Sequence, residues 1–234
     1  MGFKGQGVIT SGLPMHIIDV FFDNISINWF VELGTASGDS IKEAAKHFKQ
    51  CYTIELNPSR QIADKSLKNI SWLTGNSVDV LPIIIDILIE NKGDSKEHEY
   101  CLFWIDSHFD GDKPKDSPYK DCYLMEELEI LAGDYREDSI ILIDDARLFY
   151  GNPPQPNTAS EWPAVQDIFI FLKDKFPYHF ATIVDDYILC LPDRIKWVFD
   201  KMWMGQYNIR YPSDAEKLRS QTKDVFNAFT QYIK

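Results

Sequence analysis

The segment Trp29-Phe30-Val31-Glu32-Leu33-Gly34-Thr35-Ala36-Ser37-Gly38-Asp39 holds the architecture in miniature. A short apolar run of β-formers ends at Leu33, two glycines bracket a tight turn, and a helical pattern opens at about Asp39. Strand, glycine turn and helix in that order begin an α/β unit, and the alternation repeats along the chain. Further strands are predicted at Cys51 to Glu55, Ile70 to Leu73, Tyr100 to Asp106, Ser139 to Asp144, His179 to Val184 and Tyr187 to Leu191. Helices are predicted over Asp39 to Lys49, Ser59 to Lys68, Ser77 to Glu90, Tyr119 to Ala132 and Glu161 to Lys175. Asn91 and Gly133 stand where helix ends favour left-handed residues. Only Asp185 and Asp186 separate the last two strands, too few for a parallel crossover, so that pair must be an antiparallel hairpin. The expected fold is α/β: a doubly wound seven-stranded sheet, mostly parallel, with a C-terminal antiparallel hairpin and helices on both faces.

The chain has 234 residues, of which 44% are hydrophobic and 14% aromatic, a composition that builds a packed core and excludes general disorder. Its longest apolar stretch, Leu81 to Ile89, is cut by Asp86 and falls short of the ~20 residues that cross a bilayer. The N-terminus does not read as a signal peptide, and Gln6 breaks the myristoylation pattern. Against 24 Lys and Arg stand 36 Asp and Glu, a net charge of −12 without a basic stripe, so no nucleic-acid partner is expected. Cys51, Cys101, Cys122 and Cys190 are widely spaced, which suits neither a disulfide framework nor zinc and points to a reducing, cytoplasmic setting. One domain is expected, with a core over 29–192. An extension over 1–28 is amphipathic around Met15 to Ile25, and another over 193–234 is helical from about Ser213 to Tyr232. Either extension could serve as a lid or as a contact between copies in a homo-oligomer.

In open α/β sheets, ligands sit beyond the carboxyl ends of strands, and glycines there let backbone approach them closely. Gly34 and Gly38 are spaced G-x-x-x-G, not G-x-G-x-x-G, and Glu32 places a carboxylate at the turn. Such a carboxylate accepts from an ammonium but repels a pyrophosphate, so the turn favours S-adenosylmethionine over NAD. The same residues also fit a tight turn without a ligand. Glu55 closes the second strand 21 positions after Gly34, where doubly wound enzymes place an acid that binds ribose hydroxyls. Asn76 and Ser77 follow the third strand, in reach of an adenine edge or as an ordinary helix N-cap.

The fourth strand ends in Trp104-Ile105-Asp106-Ser107-His108 and the fifth in Leu142-Ile143-Asp144-Asp145. Three carboxylates on one sheet edge repel one another unless a cation is bound, and hard oxygen ligands suit Mg²⁺ or Ca²⁺. Such an ion lowers the pKa of a bound hydroxyl, and His108 could then take the proton. Turn formation by the aspartates and a structural histidine are the competing readings.

With VELGTASGDS, TIEL, WIDSH and LIDDAR, the chain over roughly Trp29 to Pro192 resembles the class I S-adenosylmethionine-dependent methyltransferases. The likeness is to metal-dependent O-methyltransferases of the catechol and macrocin (macrolide-sugar) types. The resemblance implies that Glu32 and the turn Gly34, Thr35, Ala36, Ser37 and Gly38 hold the methionine moiety, Glu55 the ribose and Asn76-Ser77 the adenine. It also implies that Asp106, Asp144 and Asp145 bind Mg²⁺ or another divalent cation. The catechol type has a lysine where this chain has Phe109, whereas sugar-type members draw a base from the same segment, which makes His108 the candidate. The function so implied is metal-assisted O-methylation of a small polyhydroxylated acceptor such as a sugar or glycan unit. A metal-independent methyltransferase, an NAD-dependent oxidoreductase and a non-catalytic binding module are the alternatives. Residues 110–116 read as a solvated active-site loop and NPPQPN, residues 152–157, as a stiff loop. Arg147 could contact substrate or pair with the aspartates, and Trp162, Trp197 and Trp203 could line an acceptor cleft or the core.

Overall fold

The computed structural model describes residues 12–57, 66–92, 98–109, 118–133, 135–153 and 157–210. The predicted helix over Ser59 to Lys68, the 110–116 loop, the centre of NPPQPN and the helix over Ser213 to Tyr232 lie wholly or mostly outside them.

Seven strands, β1 (Ile27–Leu33), β2 (Gln50–Glu55), β3 (Ile70–Thr74), β4 (Tyr100–Ile105), β5 (Ser139–Ile143), β6 (His179–Val184) and β7 (Tyr187–Pro192), form one sheet in the order β3-β2-β1-β4-β5-β7-β6. β1 to β5 run parallel, while β7 is antiparallel to both β5 and β6. The doubly wound sheet and its terminal hairpin are therefore present as the alternation of apolar runs requires. Winding proceeds outward from β1 in both directions, so the crevice between β1 and β4 is the switch point where such sheets receive ligands.

Both sheet faces are covered, which explains why the central strands read as continuous apolar runs. Val31, Leu33, Phe103, Ile105 and Ile141 face one buried cluster with α3 (Ser77–Lys92), α4 (Leu124–Leu131) and α5 (Val165–Lys175). Phe30, Leu102, Trp104, Ile140 and Leu142 face the other, with α1 (Met15–Phe22), α2 (Asp39–Ala44) and α6 (Lys196–Arg210). The N-terminal amphipathic piece thus covers the sheet, burying Ile17, Ile18 and Phe21.

Several helices are shorter than their periodicity implies. α2 stops at Ala44 because the Asn69 side-chain amide donates to the carbonyls of Ala45 and Phe48 and the chain turns into β2. The predicted helix at Tyr119 begins only at Leu124, since the Asp121 carbonyl accepts from the Phe109 N–H and its N–H donates to Glu161 Oε2. α5 starts at Val165 because Pro163 holds Trp162 extended. Cys51, Cys101, Cys122 and Cys190 are free and buried.

Candidate functional site

A cleft open to solvent lies beyond the carboxyl ends of β1, β2, β3 and β4, where open α/β sheets receive ligands. Gly34, Ala36, Glu55, Asn76, Ser77, Asp106 and His108 all line it. Gly34 has φ +93°, and a Cβ there would lie 2.1 Å from the Asp106 carbonyl oxygen. Only glycine lets the first turn pass so close under the end of β4. Ala36 follows at φ +44°, a left-handed conformation that costs an alanine ~1–2 kcal/mol. The turn is held open by Glu55, whose Oε2 accepts from the Ala36 N–H and Oε1 from the Asn57 N–H, both at 2.9 Å. Each oxygen keeps a second lone pair, so the carboxylate still suits a vicinal diol.

Other sequence-predicted residues sit around the cleft rather than in its described lining. Glu32 is 1% exposed and accepts the Thr53 hydroxyl at 2.5 Å. Thr53 spends its proton there, so Thr35, buried beside it, donates to Thr53 at 2.5 Å. Burial pushes Glu32 well above the carboxylate range, with Asp106 and Glu55 adding to the shift against the Thr53 bond. Its charged form therefore suits a neighbouring cation such as an ammonium. Ser37 is exposed and bonds Asp39 Oδ2 at 2.8 Å, and Gly38 precedes α2. Asn76, not Ser77, caps α3: its Oδ1 accepts from the Val78 N–H at 3.3 Å. The Ser77 hydroxyl donates instead to Glu127, with Asn76 Oδ1 farther off at 3.5 Å.

At the far end of the cleft, single ligand atoms of Asp106, His108 and Asp145 lie within 4.8 Å of one another. Asp144 is not in this trio; its Oδ1 turns back to accept the Asp145 N–H at 2.7 Å. His108 Nε2 donates to Asp145 Oδ2 at 3.1 Å and stands 3.9 Å from Asp106 Oδ1. The imidazole, 4% exposed, packs edge-on to Phe149 and Trp162. Burial opposes its charge, but the Asp145 hydrogen bond and the neighbouring carboxylates prevail and raise its pKa. Arg147 Nη1 bonds Asp145 Oδ1 at 2.5 Å and also pairs with Asp186 in the β6–β7 turn. Burial lifts Asp145, yet His108 and Arg147 together hold it below the usual range. Asp144 is compensated less: burial, reinforced by Asp106 and Asp145, outweighs the Asp145 N–H and His108 and pushes it up to about 8. A carboxyl so placed, beside three converging donor atoms, fits a divalent cation. Of the tryptophans, Trp162 is buried at His108, while Trp197 and Trp203 are half-exposed on α6, outside the cleft's described lining.

No family model and no curated protein matches the chain. Among solved structures it is similar to a putative methyltransferase from Streptococcus mutans in complex with SAH (10% identity, 78% of this chain and 97% of that one, TM-score 0.45). It is also similar to human methyltransferase-like protein 13 in complex with SAH (12%, 76% and 79%, TM-score 0.44). A third likeness is to an rRNA methylase from Streptococcus thermophilus (13%, 79% and 97%, TM-score 0.41). With TM-scores below 0.5 these likenesses carry no functional argument, which rests on the site's own geometry.

Three residues that composition and motif left aside belong to this site. Ser107 and Tyr123 line the cleft, and Glu127 lies behind it, fully buried. The signal for Glu127 is its place on the apolar face of α4, flanked by Leu124, Leu128 and Leu131, where a charged residue must have a polar reason to be.

Proposed function

We propose that this protein transfers the methyl group of S-adenosylmethionine to a hydroxyl of a small polyhydroxylated acceptor, such as a sugar or glycan unit, with the help of a divalent cation. One observation carries the reading: a single cleft joins the glycine turn, Glu55 and Asn76-Ser77 to Asp106 and His108. In it, Glu55 binds the ribose diol, and Glu32, through the Thr35–Thr53 relay beneath the turn, favours the methionine ammonium. His108, with Nε2–H anchored on Asp145, offers Nδ1 to the acceptor's proton, and the carboxylate behind the ring favours the imidazolium that forms. Phe149 and Trp162 keep water from that ring. Asp106 and Asp145 are the carboxylates that would hold a cation such as Mg²⁺, joined by Asp144 only if its side chain turns from the Asp145 N–H, and the ion would supply Lewis acidity toward the acceptor oxygen.

A metal-independent second reading has its own support: both oxygens of Asp145 are already engaged, by His108 and by Arg147. Calorimetry with S-adenosylhomocysteine, followed by transfer of labelled methyl to a panel of sugars with and without EDTA, tests both. Micromolar binding and EDTA-sensitive transfer lost in Asp106→Ala support the first reading. Transfer indifferent to EDTA leaves the second, and absence of binding removes the donor assignment.

A further inference from the structure

The buried Glu127 carboxyl receives two hydroxyls on one oxygen. Ser77, at the start of α3, and Ser107, just past β4, both donate to Glu127 Oε1, the latter at 2.5 Å. Both serines line the cleft, on the sides of β3 and β4 respectively. A hydroxyl has one proton and two lone pairs. With their protons committed inward, Ser77 and Ser107 turn only lone pairs toward a ligand. Glu127 Oε2 is buried and has no hydrogen-bond partner among the described residues. Burial raises the Glu127 pKa against the pull of the two hydroxyls. Whether or not Oε2 carries a proton, Oε1 remains the acceptor of both serines, so the polarity of the wall does not depend on the charge of the carboxyl.

We infer that Glu127 is a specificity-determining positioning residue that fixes this stretch of wall as hydrogen-bond acceptor, selecting a nucleoside whose base edge offers an amino group over one offering a carbonyl. The inference rests on the reading of the cleft as an S-adenosylmethionine site and adds to it a rule for the base: adenine is accepted and hypoxanthine refused. A carbonyl edge would meet serine lone pairs, and the serines cannot turn a proton outward without abandoning a buried carboxyl.

The test compares the affinities of S-adenosylhomocysteine and S-inosylhomocysteine by calorimetry. The wild type should prefer the adenosyl ligand by at least ~10-fold. Glu127→Gln keeps a carbonyl oxygen for the serines and should keep the preference. Glu127→Met is apolar and of similar size; it removes the acceptor, frees the hydroxyls to donate, and should bring the ratio to within about threefold of unity. Ser77→Ala and Ser107→Ala, which leave Glu127 in place, should each shrink the ratio, a readout that a purely structural role would not move. Equal binding of both ligands by the wild type overturns the inference while leaving the donor assignment intact, as does an undiminished ratio in Glu127→Met or in both serine variants. If neither ligand binds, the donor assignment itself fails and the inference falls with it.

Discussion

The two ends of β5 solve the same electrostatic problem in opposite ways. Just before its amino end, Asp138 is 2% exposed and is met by Lys92, by His98 Nδ1 at 2.8 Å and by Arg194 Nη2 at 2.6 Å. Just past its carboxyl end, Asp144 is 8% exposed and faces Asp106 and Asp145 instead. Five residues of strand separate a saturated carboxylate from a frustrated one. The first ties α3, the approach to β4 and the start of α6 together; the second is left in a state that a ligand can relieve. Compensation marks architecture and its lack marks function.

Removing Asp138 should have the largest effect on stability. Asp138→Ala leaves the Lys92 and Arg194 charges and the His98 ring around an emptied site, and because these groups are about a third to a half exposed the loss is ~2–3 kcal/mol, read from urea unfolding. Binding of S-adenosylhomocysteine by the folded fraction should be unchanged; weakened binding would mean that the two ends are not independent.

Next in size is stabilisation by divalent cation. Mn²⁺ or Mg²⁺ at ~100 times its dissociation constant adds ~2.7 kcal/mol to the wild type. Asp106→Ala and Asp145→Ala should lose most of that gain in thermal melts, and Asp138→Ala should keep it. A gain equal in all four proteins would place cation binding elsewhere.

Asp144→Asn should do the reverse of Asp138→Ala. The folded protein holds the Asp144 proton more tightly than the unfolded chain, about 8 against 3.8, so the wild type without cation loses stability as pH rises across that interval. The variant lacks this loss and should be the more stable protein at pH 9, with the gap closing toward pH 4. A gap that does not change with pH would show Asp144 to be compensated after all.

Ser37→Ala should have the smallest effect. Its exposed hydroxyl bonds Asp39 outside the cleft, so cofactor affinity should stay within about twofold. A larger change would extend the donor site past Ala36.

The sheet was legible because its strands are buried on both faces and so read as apolar blocks, and because two residues between β6 and β7 permit a hairpin alone. Helix ends were less legible, since distant groups set them: the Asn69 amide ends α2, and Glu161 and Phe109 hold back α4. At the site, motif spacing brought Gly34, Glu55 and Asp106 forward but could not tell which acids share a cluster. Adjacent residues leaving a strand point apart, so Asp145 meets His108 while Asp144 folds back on its own backbone. Ser107 and Glu127 carry no motif, and they come together only when α4 packs against α3 and brings Glu127 to Ser77 and Ser107.

The contact between Gly34 and the Asp106 carbonyl has a bearing on how this protein can change over time. Because the first turn and the tip of β4 touch through main chain, neither can shift without dragging the other. If the cleft works as proposed, a lineage that remodels the glycine turn also moves Asp106, and novelty in substrate choice has to arise from the peripheral loops.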